Sequence, residues 1–234
     1  MKLLFISYYY PPDQKPRAIQ VERLSKNINA KVDIVTRLNN SNKNSTLKKN
    51  QSNQIKLFRY KDYEYKNKYF TYLLNLFSIP DRYIFWAIRN VIKIVKNLRN
   101  EYDAIISFGQ PMSDHIIGLI IAKIFKKPWI VHFSDPWHGN IYNDNIFVKS
   151  FLNYVLEYLV INNCDKCIFT NEKAKDFTLR KYNQTNQKKG LVLAHCFDKS
   201  LFRDIKVKSP TKFIVRHLGN FYGKRNPRIL LKAL

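Results

Sequence analysis

Asp135 is the acidic residue of this sequence that is best placed for chemistry. It follows the apolar run at residues 129–133, which predicts a buried strand. At the carboxyl end of a parallel strand, a side chain reaches the edge where doubly wound sheets bind their ligands. A carboxylate there can accept a hydrogen bond from a ligand hydroxyl or stabilise a developing positive charge. A capping or turn role before Pro136 is the structural alternative.

Two further polar residues of this segment, His132 and Ser134, are expected beside Asp135. Side chains alternate along a strand, so His132 and Ser134 should point to the same side. His132 is therefore a candidate for catalysis or ligand contact, and Ser134 is a candidate for binding an acceptor or a phosphate. A buried histidine with purely structural hydrogen bonds is the alternative for His132.

Lys15 and Arg17 are candidate phosphate contacts in the first predicted loop. They follow the predicted strand at residues 2–6 and stand where a helix begins, and a helix N-terminus itself attracts anions. The loop from Tyr8 to Arg17 has no glycine, so side-chain charge would have to replace close backbone approach. A solvated arginine in the first helical turn, slightly unfavourable with the helix dipole, is the alternative. The absence of Gly-x-Gly-x-x-Gly argues against a dinucleotide-dependent dehydrogenase.

A second anion-binding loop is predicted at residues 219–225. Gly219 and Gly223 allow backbone N–H groups to approach a ligand closely, while Lys224 and Arg225 add positive charge. This combination favours contact with a diphosphate. An ordinary basic turn is the alternative.

The three cysteines do not predict a metal site or a disulfide. Cys164 and Cys167 form a Cys-x-x-Cys pair, but the pair straddles a predicted helix-to-strand junction and lacks the ligands and turn of a zinc knuckle. An odd number of cysteines without a signal peptide indicates reduced thiols in a cytoplasmic protein. No serine, histidine and aspartate stand in a nucleophile-elbow setting, so hydrolase chemistry has no support.

The elements that must position these residues alternate between strands and helices. The predicted strands lie at residues 2–6, 32–35, 104–107, 129–133, 166–169 and 191–194, and the predicted helices at residues 17–29, 113–125, 147–162 and 171–182. This alternation predicts an α/β fold with a doubly wound parallel sheet of six or seven strands.

Two polar stretches interrupt the pattern. Residues 39–54 are almost wholly Asn, Ser, Lys, Gln and Thr, which predicts a mobile surface loop. Residues 198–211 are also polar, and a strand at residues 212–217 and a helix from Asn226 are predicted after them. We therefore expect a first domain at residues 1–205 and the beginning of a second domain at residues 211–234, too short for a core of its own and thus truncated.

The balance of charge favours anionic partners without choosing among them. The chain has 41 Lys and Arg against 17 Asp and Glu, a formal net charge of +24. Nucleic acid, an anionic membrane surface and phosphorylated small molecules all fit. No nucleic-acid-binding motif is present, which disfavours the first. The apolar stripe Ile84, Ile88, Val91, Val95 and Leu98, with basic residues off it, predicts either a helix packed on the sheet or a helix lying on anionic lipid.

Four stretches together resemble the family 4 glycosyltransferases of the GT-B fold, specifically their subfamily-4-like N-terminal domain. They occur in the same order as in that family and cover nearly the whole chain. They are Tyr9-Tyr10-Pro11-Pro12 with Pro16-Arg17-Ala18; Ile79-Pro80-Asp81 with Tyr102-Asp103-Ala104 and Ser113-Asp114-His115; Lys127-Pro128-Trp129 running into Asp135-Pro136-Trp137; and Gly219-Asn220-Phe221 continuing to Asn226-Pro227.

The resemblance implies two Rossmann-like domains facing a cleft, with a glycan or lipid-linked acceptor on the first and a nucleotide-sugar donor on the second. It implies transfer with retention and without a metal or other cofactor. The cysteines and the lack of a signal peptide place the protein in the cytoplasm, and the basic stripe at residues 84–98 allows a peripheral position at the inner face of the membrane. Asp135 and His132 would serve catalysis, and Gly219, Lys224 and Arg225 would contact the donor diphosphate. Many relatives carry histidine directly before the aspartate, where this chain has Ser134. The family's paired-glutamate motif has no counterpart here, so an inactive acceptor-binding fragment is the alternative to an active enzyme.

Overall fold

Seven strands form one sheet in the computed structural model, which describes residues 1–38, 54–62, 69, 78–139, 147–195, 197, 211–219, 221 and 226–233. The strands are β1 Lys2–Ile6, β2 Lys31–Leu38, β3 Ile55–Lys61, β4 Ala104–Phe108, β5 Trp129–Phe133, β6 Lys166–Phe169 and β7 Gly190–Val192. Their order across the sheet is β3-β2-β1-β4-β5-β6-β7, and all neighbouring pairs are parallel. The predicted parallel sheet is therefore confirmed.

Helices connect these strands in the way that parallel pairing requires. They are α1 Pro16–Asn27, α2 Ile84–Asn97, α3 Ser113–Phe125, α4 Phe147–Asn163, α5 Glu172–Leu179 and α6 Gln184–Gln187. A further helix, α7 Arg228–Ala233, follows the last strand and belongs to the second unit. The bounds of α3, β5 and β6 are those expected from the apolar pattern. The third strand, β3, was not predicted, because it follows directly on the polar stretch at residues 39–54.

The two faces of the sheet bury two separate groups of side chains. Alternation in β1 divides them, since Leu4 and Ile6 belong to one group and Leu3 and Phe5 to the other. Helices α2 to α5 contribute to the first group, and α1 contributes Val21 to the second. Helices thus lie on both faces, which makes the sheet doubly wound.

Helix α2 packs through part of the expected stripe, including Ile84 and Leu98, but it is rotated relative to that stripe. Ile88 was expected on the packed side but is 61% exposed, whereas Ala87 and Asn90 are buried. Burial of Asn90 costs little because its side-chain amide donates to the carbonyl oxygens of Lys61, at 3.1 Å, and Trp86, at 2.9 Å. The hydrogen bond from Asn90 to Lys61 of β3 therefore sets the rotation of the helix, and Ile88 faces outward.

The chain divides into two compact units, residues 1–195 and 196–234. The expected boundary near residues 205–211 and the expected mobile loop at residues 39–54 fall almost wholly on residues outside the described ones. The described residues 212–217 do not form the expected strand and are exposed. Among the described residues no strand pairs with this segment, and a lone strand is not stable.

Candidate functional site

The order of the sheet reverses between β1 and β4, and this reversal locates a crevice. The helix after β1 lies on one face and the helix after β4 lies on the other, so the loops that leave the two strands diverge. Doubly wound sheets bind ligands in the crevice that such a divergence opens at the carboxyl ends of the strands. The loops after β1, β4 and β5 border this edge, which we call the carboxyl edge.

Arg17 reaches into the carboxyl edge from the first turn of α1. Its side chain is buried, with 5% exposure, so the solvated alternative does not describe it. One terminal nitrogen donates to Ser134 Oγ at 2.8 Å, and the other contacts His132 Nδ1 at 3.2 Å. Its Nε has no hydrogen-bond partner among the described residues. Burial lowers the pKa of Arg17 to about 10, against the opposing charges of Asp114 and Asp135, so the group stays cationic at neutral pH.

The contact with Arg17 fixes the protonation of His132. A guanidinium has only donors, so Nδ1 of His132 must accept and the ring hydrogen must sit on Nε2. Burial and the charge of Arg17 lower the pKa of His132 to about 3. His132 is therefore a neutral imidazole that can donate through Nε2, and it is poorly suited to supply a proton as a general acid at neutral pH.

Ser134 and Asp135 follow the end of β5. Ser134 is half-buried and Asp135 is exposed. The Ser134 carbonyl accepts from Thr170 Oγ1 at 3.0 Å, which holds the segment against the end of β6. Asp135 is exposed, and its carboxylate accepts from the side-chain amide of Gln110. Gln110 follows β4 and has a φ of 62°, in the left-handed region. The carboxylate is thus fixed at the carboxyl edge and open to solvent.

Beneath the loop after β4 lie two fully buried polar side chains, Asp114 and His115. Asp114 Oδ2 accepts from the Tyr8 backbone N–H at 2.8 Å, and His115 Nδ1 lies 2.8 Å from Ser107 Oγ. Their other polar atoms, Asp114 Oδ1 and His115 Nε2, have no partner within the part of the chain that the structure describes. Burial raises the pKa of Asp114 well above its ordinary value and lowers that of His115 well below its own. Burial therefore disfavours the charged form of both groups.

Unsatisfied atoms of Arg17, Asp114 and His115 therefore lie in one region of the protein. The charge of Arg17 acts on both of the other groups, raising the ionised fraction of Asp114 and disfavouring protonation of His115. Buried polar atoms without partners are expensive, and they are normally satisfied by water or by a ligand. This region can accept a polar ligand group at a lower desolvation cost than a fully bonded core.

Two carboxylates, half-buried Asp81 and fully buried Glu157, hold the loops that carry the site. Asp81 accepts from Ser113 Oγ at 2.6 Å and from the Tyr83 backbone N–H at 3.0 Å, which ties the starts of α2 and α3 together. Glu157 of α4 accepts from the His138 backbone N–H at 2.8 Å. Trp137 donates to Asn153 at 3.0 Å. The segment after Asp135 is thus anchored on α4.

The structure brings together four of the residues expected from the sequence and leaves others apart. Arg17, His132 and Ser134 are in direct contact, and Asp135 is close enough to influence the charge of Arg17. Lys15 occupies the N-cap position of α1 and is exposed. Gly219 lies in the second unit with a φ of 123°. Lys224 and Arg225 lie outside the described residues.

Sequence reasoning did not assign Gln110, Asp114 or His115 to the site. Ser113-Asp114-His115 entered only as part of a family resemblance, although it begins the helix that follows β4. The strand-end rule applied to Asp135 would have pointed to the same edge after β4 as well. The burial of Asp114 and His115, in contrast, depends on contacts with Tyr8 and Ser107 and could not be predicted from the local sequence.

The cysteine pair lies away from the carboxyl edge. Cys164 and Cys167 are buried, with their sulfur atoms 3.3 Å apart and both thiols free. Hydrogen bonding to Cys164 and burial raise the pKa of Cys167 far above its ordinary value. Within the described ranges, no cluster of three or more His, Cys, Asp or Glu side chains could hold a metal ion.

Comparisons with known proteins give similarity in structure only. No family model matches the chain, and no curated protein matches it. HepE of Anabaena, solved in complex with UDP, superposes with a TM-score of 0.55 at 14% identity, over 86% of this chain and 46% of HepE. UGT89C1 of Arabidopsis thaliana, solved with UDP-L-rhamnose, gives 0.54 at 14% identity, over 85% and 53% of the two chains.

A third solved structure matches over most of its own length. Sucrose-phosphate synthase of Thermosynechococcus elongatus gives a TM-score of 0.51 at 14% identity, over 86% of this chain and 93% of that one. At this identity the comparisons show a shared fold, the Rossmann-like parallel sheet of GT-B glycosyltransferases. The chain spans less than half the length of HepE.

Proposed function

We propose that this chain provides the acceptor side of a glycosyltransferase that moves a sugar from a nucleotide-sugar donor to a cell-surface glycan or lipid-linked acceptor. The proposal rests on the environment of Arg17. Arg17 is a buried cation at the switch point of the sheet, and among the described residues it forms no salt bridge with a carboxylate. A charge kept in such a place is best explained by an anionic ligand that completes its environment.

The chemistry assigned to the site is electrostatic. Arg17, with Ser134 and the Nε2 hydrogen of His132 beside it, binds phosphate oxygens, and exposed Lys15 adds charge at the same helix N-terminus. Asp135 accepts a hydrogen bond from an acceptor hydroxyl or stabilises the oxocarbenium-like centre of the transferred sugar. Exposure of Asp135 suits this role because the acceptor has to reach it from solvent.

The donor side belongs to the second unit in this proposal. Lys224 and Arg225 neutralise the leaving diphosphate and Gly219 lets the backbone approach it. Transfer proceeds with retention, and no bound metal takes part. Support comes from the solved structures with the same fold, since HepE and UGT89C1 hold UDP and UDP-L-rhamnose. A nucleic-acid-binding role finds no support in the described part of the chain beyond the net charge.

Titration calorimetry with sugars activated by uridine, guanosine and cytidine diphosphate tests this proposal. We expect dissociation constants of roughly 1 mM, about −4 kcal/mol, and no turnover. The reason is that every described residue of the second unit is exposed except the half-buried Pro227, so these residues build no donor pocket. An exposed charge pair contributes only about 0 to 1 kcal/mol.

Two results would contradict the proposal. The absence of binding even at millimolar concentrations of every diphosphate sugar would remove the anion site at Arg17. Micromolar binding with turnover that Asp135→Asn abolishes would place the donor site in the first unit instead. Matched titrations with nucleosides and neutral sugars show how much of the binding depends on the diphosphate.

A further inference from the structure

Helices α2, α3 and α4 lie side by side on one face of the sheet, and their outward surfaces carry large apolar side chains. Ile88 and Ile92 of α2 are 61% and 65% exposed, and Ile124 of α3 is 52% exposed. On α4, Phe147 is 87% exposed and Phe151 is 57% exposed. We call this outward surface the three-helix face. So many exposed large apolar side chains on one layer of helices are uncommon on a protein that contacts only water.

The charged residues of the three-helix face are all of one sign. Arg89, Lys93 and Lys96 of α2 and Lys123 of α3 are exposed. The three helices contain two carboxylates, Asp114 and Glu157, and both are fully buried. The solvent-facing surface of the three helices therefore carries apolar groups and cations, and it carries no carboxylate.

We propose that the three-helix face binds the surface of an anionic lipid bilayer. Lipid headgroups attract the lysine and arginine side chains, and isoleucine and phenylalanine side chains insert at the boundary with the acyl chains. Pairing of two copies through this face would bring like charges together, which disfavours a dimer. The apolar residues have no matching role in binding a phosphate backbone, which disfavours nucleic acid.

The orientation of α4 connects this face to the carboxyl edge. Helix α4 follows β5 and leads into β6, so it returns from the carboxyl edge to the amino edge of the sheet. Its first turns, with Phe147 and Phe151, lie towards the edge that carries Asp135. A bilayer docked there would present a lipid-linked acceptor to Asp135, and this last step alone rests on the proposed function.

Co-sedimentation with vesicles tests the proposal on the full chain, without nucleotide or acceptor. We expect at least roughly tenfold stronger binding to phosphatidylcholine mixed with phosphatidylglycerol than to phosphatidylcholine alone. Raising the salt from about 0.05 M to about 0.5 M should release the protein, because it screens the lysine and arginine contacts. Lys93→Gln with Lys96→Gln should weaken binding by roughly tenfold, and Phe147→Ser with Phe151→Ser should also weaken it.

The matched control is Lys31→Gln with Lys56→Gln, which removes the same charge from exposed positions on β2 and β3. It should change binding by no more than about twofold. Equal loss in the control and in the α2 variant would overturn the proposal, since net charge alone would then explain the binding. Equal binding to neutral and anionic vesicles, or self-association that Phe147→Ser with Phe151→Ser abolishes, would overturn it as well. Far-ultraviolet circular dichroism confirms that each variant is folded, and none of these outcomes bears on ligand binding at Arg17.

Discussion

Arg17 carries its charge in a place where two effects oppose it. Burial removes its hydration, and the first turn of a helix is already positive. The sequence predicted that Arg17 lies at the start of a helix, but it did not predict that its side chain is buried. Burial depends on His132 and Ser134, which are more than 100 positions away along the chain. Long-range contacts of this kind decide which of several local possibilities a residue adopts.

The neutral state of His132 makes the stability of the protein sensitive to pH. Its pKa is about 3 in the folded chain and about 6.5 in the unfolded chain, so the unfolded state binds the proton first as the pH falls. The contribution of neutral His132 to the free energy of unfolding is therefore present above about pH 6.5. It is lost on acidification, and the loss is about 1.4 kcal/mol at about pH 5.5.

Urea unfolding at about pH 7.5 and about pH 5.5 checks this expectation. The free energy of unfolding of His132→Gln should fall by about 1.4 kcal/mol less than that of the unchanged chain over this interval. His217→Gln, which alters an exposed histidine of the second unit, serves as the control and should leave the fall unchanged. A fall of equal size in His132→Gln would show that His132 is not buried in its neutral form.

At the scale of elements, the apolar pattern predicted six of the seven strands of the sheet but missed β3. Strand β5 is apolar except for His132 and β6 is apolar after Lys166, and a parallel sheet buries such runs on both faces. The rotation of α2 was not predictable in the same way. Its buried face includes Asn90, because the amide of that residue finds an acceptor on β3, and this acceptor is set by tertiary structure.

Close packing of α3 on the sheet depends on Gly118. A Cβ atom at this position would lie 2.7 Å from Trp129 Nε1 and 2.9 Å from Ser107 Oγ, and these two groups share a hydrogen bond of 2.9 Å. Gly118→Ala should therefore lower the free energy of unfolding by about 1–3 kcal/mol through overpacking. The helix propensity of alanine opposes this loss with about 1 kcal/mol.

Chemical denaturation of Gly118→Ala decides between the two effects. Lys123→Ala, at an exposed position of the same helix, is the control and should change stability little. An unchanged or higher stability of Gly118→Ala would mean that the helix and the sheet separate easily at this point. In that case the Ser107 contact would not hold His115 in place.

At the scale of the whole molecule, the two units differ in how far they support a function. The first unit has a sheet covered on both faces, and its carboxyl edge carries Arg17 and Asp135. The second unit offers no buried side chain among its described residues. Composition predicted this contrast in part, because a segment of some twenty residues cannot form a core. No helix among the described residues is long and apolar enough to cross a membrane.

The proposed ligand site is the carboxyl edge around Arg17. Binding at this site is measured most directly by titrating the isotope-labelled chain with uridine diphosphate glucose and following the backbone amide resonances in nuclear magnetic resonance spectra. Such spectra detect the weak binding that we expect and also show where it occurs. Arg17→Gln removes the proposed contact, and Arg180→Gln removes the same charge from an exposed position outside the carboxyl edge.

We predict that the largest shifts occur in the loops after β1, β4 and β5, including the amides of Tyr8, Gln110 and Asp135. Arg17→Gln should abolish these shifts, whereas Arg180→Gln should preserve them. Shifts concentrated at the opposite edge of the sheet, or shifts that persist unchanged in Arg17→Gln, would contradict the claim.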